Sequence, residues 1–132
     1  MFEYQLTMNS QQARETLKAV ELLMRLKINQ PNEISRAVMP EDYWDDGTLD
    51  HDKFDDYIKR RDSANEHMQK AFRFIFIDYA TKDEEWYRLY NIYQALRYAI
   101  HCAENPNSKG VDSYPPIRIT DEPIPECKWR QE

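Results

Sequence analysis

Trp86-Tyr87-Arg88-Leu89-Tyr90-Asn91-Ile92-Tyr93-Gln94-Ala95-Leu96-Arg97-Tyr98-Ala99-Ile100-His101 reads as an amphipathic helix. Trp86, Leu89, Tyr90, Tyr93, Leu96, Arg97 and Ile100 recur at three- and four-residue steps, the period of an α-helix and not of a strand. Beside that stripe, Asn91, Gln94, Arg97, Tyr98 and His101 fall near one another. Upstream, Thr81-Lys82-Asp83-Glu84 has the form of a capping box, with Thr81 as the cap and Glu84 reaching back. Asn105-Pro106 ends the helix.

Working toward the N-terminus, the most apolar run is Phe72 to Tyr79, which fits either a helix end or a short strand. Before it, Phe54, Tyr57, Ile58, Ala64, Met68, Ala71, Phe72 and Ile75 keep helical spacing, predicting a long helix that begins near Asp50. Residues 41–56 are strongly acidic, with a turn at Gly47. Asn32 to Met39 fits a short helix stopped by Pro40. Ala13, Leu17, Val20, Met24 and Ile28, widened by Leu23 and Leu26, predict another helix, ended by Pro31. Asn9 or Ser10 caps it, and Gln12 completes a capping box with Asn9. In residues 2–8 apolar and polar side chains alternate, so Phe2, Tyr4, Leu6 and Met8 would share one face of a short strand.

Toward the C-terminus the character changes. Five of the seven prolines fall at Pro106, Pro115, Pro116, Pro123 and Pro125, which favours extended geometry. Tyr114, Ile117, Ile119, Ile124 and Trp129 make this tail too apolar to float free, so it should pack on the domain or on a second subunit. Ile117 to Thr120 fits a short strand. The expectation is a single domain over 1–132, with a strand and helices in 1–105 and an extended tail in 106–132. The fold class is α+β and predominantly helical, with a short N-terminal strand and three to four helices. Only two glycines argue against an all-β fold, and 41% apolar residues with 13% aromatics argue against disorder.

The net charge is −6 and no Lys/Arg-rich run stands out, so direct nucleic-acid binding is not expected. No basic start followed by an apolar run suggests a signal peptide, and no stretch reaches the ~20 apolar residues of a membrane span. The expectation is a cytoplasmic protein. Cys102 and Cys127 lie far apart and form no CxxC pattern. Cys102 reads as a small helix-borne apolar residue, and a disulfide is disfavoured in a reducing compartment. Asp45-Asp46-Gly47 with Asp50-His51-Asp52 misses the register of a calcium loop, and His and Cys are too sparse for zinc, so no metal is expected. Neither a nucleophile–base pattern around His51, His67 and His101 nor a Gly-rich phosphate loop is visible, so no enzyme and no cofactor are expected. The acids of 41–56 read as a solvated loop and helix start, or as an acidic surface imitating DNA phosphates.

The aromatic–arginine clusters carry the sharper reading. Tyr87, Arg88, Tyr90, Tyr93, Arg97 and Tyr98 crowd one helix, and the tail adds Lys109, Asp112, Tyr114 and Arg118. A guanidinium is a planar fork for phosphates, and tyrosine rings stack on bases. The alternative is that the tyrosines are core and the arginines pair with this chain's own carboxylates.

The run Tyr90-Asn91-Ile92-Tyr93-Gln94-Ala95-Leu96-Arg97-Tyr98 is followed by Asn105-Pro106, Gly110-Val111-Asp112, Tyr114-Pro115-Pro116, Arg118, Thr120 and Glu122-Pro123. With Tyr4 to Thr7 and Ala19 to Leu26, it resembles a family of short phage proteins. That family is identified here with the type-1 Thoeris anti-defence proteins. The likeness covers both ends of the chain. Residues 40–80 match poorly, and Ile77-Asp78-Tyr79-Ala80 departs from the turn usual before the helix. The resemblance implies a non-enzymatic sponge acting in the host cytoplasm during infection. It would sequester cyclic ADP-ribose isomers or cyclic oligonucleotides in recesses between subunits of a homo-oligomer, a dimer or larger, up to a hexamer. It further implies that Arg97 and Arg118 bind phosphates, that Asn91 and Tyr93 face the base or ribose, and that Asp112 and Tyr114 shape the recess. His101 joins them as a candidate from its place on the helix.

Overall fold

The computed structural model describes residues 2–76 and 82–131. Its elements are α1 (Ser10–Lys27), α2 (Asn32–Val38), β1 (Trp44–Asp45), β2 (Thr48–Leu49), α3 (His51–Ile75), α4 (Glu84–Glu104) and a 3-10 turn at Val111–Ser113. The class is α+β and predominantly helical, as expected. The chain divides into two compact units, Met1–Met24 with Lys82–Glu132, and Arg25–Thr81.

In the first unit, α1 opens on the expected box. Asn9 N–H donates to Gln12 Oε1 (3.0 Å), and Gln12 N–H donates back to Asn9 Oδ1 (2.8 Å). α1 lies antiparallel to α4: Arg14 pairs with Glu104 at one end, and the Trp86 indole donates to the Met24 carbonyl (3.1 Å) at the other. Met24 is fourth from the end of α1, where carbonyls have no partner within the helix, so the buried indole supplies one. Met24, Trp86, Ala95, Leu96 and Ala99 form the buried apolar set of this unit.

The expected N-terminal strand does not form. Residues 2–8 pair with nothing as a ladder, and Phe2, Tyr4 and Leu6 are 86%, 91% and 79% exposed. Alternation gives a segment one apolar face, but a strand also needs a neighbour for its N–H and C=O groups. Among the described residues the sheet is the β1–β2 pair alone. The short strand expected at Ile117 to Thr120 is absent too, because a side chain takes the place of a neighbouring strand there, as described below.

In the second unit, α1 does not run to Pro31. Asn29 enters the left-handed region (φ 62°), while Gln30 N–H reaches Arg25 O (3.0 Å) and Asn29 N–H reaches Leu26 O (3.1 Å), a Schellman ending. α2 packs on α3 through Ser35, whose hydroxyl sits between Asn32 O (2.9 Å) and Asn65 Oδ1 (2.5 Å). Asp50 caps α3, accepting from the N–H groups of Asp52 and Lys53. The acidic stretch folds into a hairpin. Trp44 faces Leu49 and Asp45 faces Thr48, and Asp46 (φ 46°) and Gly47 (φ 78°) make the left-handed turn. Tyr43 anchors it, edge-on to Phe54 (5.0 Å) and Tyr57 (4.9 Å), and Tyr57 is buried. α3 ends at Ile75, so the start of the apolar run is helix; Ile77 to Tyr79 lie outside the described residues.

Candidate functional site

Thr81, the expected cap of α4, also lies outside the described residues. The cap is Asp83, which accepts from Trp86 N–H (2.8 Å). An aspartate two residues nearer the stripe is as strong a cap as threonine and starts the helix at Glu84.

Two constellations grow from α4. The first is an aromatic column. Trp86 stacks on Tyr90 (5.3 Å, 12°), and Tyr90 lies over Tyr93 (6.4 Å, 23°). A cation sits at each end: Lys82 Nζ is 4.5 Å from the Trp86 ring, and the Arg97 guanidinium is 5.1 Å from the Tyr93 ring. Positions 86, 90, 93 and 97 step by three or four, so the helix stacks them without help from elsewhere, and Lys82 joins from just before the Asp83 cap.

The second is a strap. The tail runs back along α4, antiparallel to it, and every third helix residue holds it. Arg97 Nε lies 3.5 Å from Asp112 Oδ1. Gln94 donates from Nε2 to Ile117 O (3.2 Å) and accepts from Ile117 N–H at Oε1 (3.0 Å). Asn91 Nδ2 donates to Thr120 Oγ1 (3.1 Å), and Arg88 Nε donates to Glu122 Oε1 (2.8 Å). Gln94 thus offers Ile117 what a neighbouring strand would, a donor and an acceptor side by side. Pro115 and Pro116 have no N–H, so Ile117 carries the first backbone donor after them. Glu122, by its hydrogen bond and charge, and then Glu84, raise the Arg88 pKa further above its ordinary value.

Polar atoms at this seam are not all satisfied. Asn91 is 2% exposed, and its Oδ1 has no hydrogen-bond partner. Arg97 Nε is also buried and makes no hydrogen bond, Asp112 Oδ1 standing 3.5 Å away. Such groups are uncommon in a folded protein.

Of the expected ligand residues, the fold brings together Tyr93, Arg97 and Asp112, and it sets Asn91 farther along the strap, on Thr120. It does not bring in the other three. Arg118 curls onto the tail's own backbone, donating to Thr120 O (2.9 Å) and to Asp121 O, because the turn at 120–122 puts those carbonyls within its reach. Tyr114 follows the 3-10 turn and is 68% exposed. His101 is buried at the end of α4 and takes no part in the four strap contacts. The ring contacts of Trp86 and Tyr90 and the strap roles of Arg88, Gln94 and Glu122 are additions to the expected site. Their signal was the three-residue step of polar side chains through 88, 91, 94 and 97.

No protein-family model, curated protein or solved structure matches this chain.

Two open grooves lie elsewhere, one lined by residues 6–9 and the start of α1, the other by residues 29–33 with Gln69 and Arg73. Among the described residues, no cluster of three or more His, Cys, Asp or Glu is placed to hold a metal ion. Cys102 and Cys127 are free thiols. Burial raises the pKa of Cys127, and a hydrogen bond with Cys102 raises that of the Tyr98 hydroxyl. No helix of the described residues is long and apolar enough to cross a membrane.

Proposed function

We propose that this chain is a phage anti-defence protein that binds a cyclic nucleotide signal, such as a cyclic ADP-ribose isomer or a cyclic oligonucleotide, and withholds it without cleaving it. The observation that carries this is the column on α4 that ends on Arg97, the residue it shares with the strap. Flat rings and a guanidinium already stacked on one of them are what a base and a phosphate respectively require. The ligand would sit between copies in a homo-oligomer acting in the host cytoplasm. In support, the first unit leaves Phe2, Tyr4, Leu6, Tyr114, Ile117 and Trp129 exposed and free to be covered by another copy.

Native mass spectrometry with cyclic ADP-ribose isomers and cyclic dinucleotides tests this. The expected result is an oligomer that gains whole ligand masses and releases them intact on denaturation. A protein that gains none of the panel, or that returns cleaved ligand, refutes it.

A second reading is favoured by the hairpin. It fixes Asp45 and Asp46, exposed, beside exposed Asp52, Asp55 and Asp56 at the start of α3. A rigid acidic face of this kind suits an inhibitor of a nucleic-acid enzyme. Such binding to a host protein would collapse with added salt, whereas stacking in a recess persists.

A further inference from the structure

We infer that Asp112 is an internal competitor for the anion site at Arg97: its carboxylate occupies the guanidinium until a phosphate displaces it. This rests on the proposed nucleotide reading, in which Arg97 meets phosphate, but it reverses the part assigned to Asp112, which becomes a gate in place of a wall.

The two partners are unequally held. The Arg97 side chain is 15% exposed and stacked on Tyr93, so it stays in place when its partner leaves. The Asp112 side chain is 64% exposed. It stands on a three-residue turn closed by its own contacts, Gly110 N–H to Ser113 Oγ (3.2 Å) and Ser113 Oγ–H to Gly110 O (2.7 Å). The carboxylate can therefore swing into water by side-chain rotation alone. The Gln94–Ile117 and Asn91–Thr120 contacts need not break. The ion pair is also poor: at 3.5 Å it leaves the buried Nε donor without a hydrogen bond. A phosphate offers more acceptor oxygens and can take the two-pronged geometry a guanidinium favours. Exchanging a carboxylate 3.5 Å away for a close, two-pronged phosphate then improves the pairing of a group that stays in place.

The test is calorimetric titration of the full-length protein with inorganic pyrophosphate. A half-exposed pair of this kind is worth about 0.2–1 kcal/mol, so Asp112→Asn should tighten binding about 1.4- to fivefold. Asp121→Asn removes the same charge from the same tail away from Arg97 and should leave binding nearly unchanged. Arg97→Gln should abolish it. The inference fails if Asp112→Asn weakens binding or leaves it unchanged, if Asp121→Asn tightens it equally, or if neither wild type nor Asp112→Asn binds pyrophosphate. Should the gate effect appear with pyrophosphate while every cyclic nucleotide fails to bind, the anion gate stands and the nucleotide-sponge reading falls.

Discussion

Replacing Gln94 with alanine should loosen the tail. Gln94 is 4% exposed and makes two hydrogen bonds with one residue, Ile117. Each neutral hydrogen bond contributes about 1 kcal/mol net. Ile117 is 67% exposed, so its freed N–H and C=O regain water and escape the larger penalty of staying buried and unpaired. The expected loss is therefore about 2 kcal/mol by urea denaturation. The loss should fall mainly on tail docking, so amide exchange at Ile117 should quicken roughly 30-fold. Gln94→Met separates the causes: it keeps most of the buried volume and neither hydrogen bond, and it should match the alanine variant within about 1 kcal/mol. A Gln94→Ala protein that loses less than about 0.5 kcal/mol, with Ile117 exchange unchanged, would refute the idea that this amide holds the tail.

Trp86→Phe should cost about 2 kcal/mol in chemical denaturation, since it keeps a ring over Tyr90 but strips the Met24 carbonyl of its buried donor; a neutral result would mean water replaces the indole. Gly47→Ala should cost about 1 kcal/mol in thermal melts, because φ is 78° there while no atom lies within 4 Å of the added methyl, leaving backbone strain as the sole cause. The Glu104 carboxyl is held below its ordinary value by hydrogen bonds from Arg14 and then Ser10. A depressed folded pKa adds stability above the unfolded value, and that stability is lost as pH falls through the folded one. Arg14→Gln should therefore flatten the acid side of the stability curve, and an unchanged acid limb between pH 5 and 2 would remove this pair from the account.

What the sequence disclosed was what neighbours along the chain decide. The α4 stripe, the Asn9–Gln12 box and the start of α3 at Asp50 each depend on residues within a turn or two, and each stands where the spacing placed it. The failures need partners from farther away. Phe2 to Met8 has the alternation of a strand and no ladder to join. The hairpin strands are two residues each, too short to show any period inside a run of acids. In the tail, prolines remove the helical and strand periods alike, so nothing told which way Tyr114 or Arg118 would turn. The site was legible as a cluster on α4, because helical geometry fixes who is adjacent. It was not legible as a seam, because matching Gln94 to Ile117 and Arg97 to Asp112 requires the tail's path.

The strap has a consequence for where the chain tolerates lengthening. Its contacts pair helix steps of three with tail steps that differ, from Asp112 to Ile117, then Thr120, then Glu122. A residue inserted between Ile117 and Glu122 leaves no slack to absorb it, and it would slide one half of the tail out of step with Asn91 and Gln94. Beyond Glu122 these contacts cease, so an epitope or fluorescent label belongs after that point, where added length hangs outside the register and leaves α4 dressed as before.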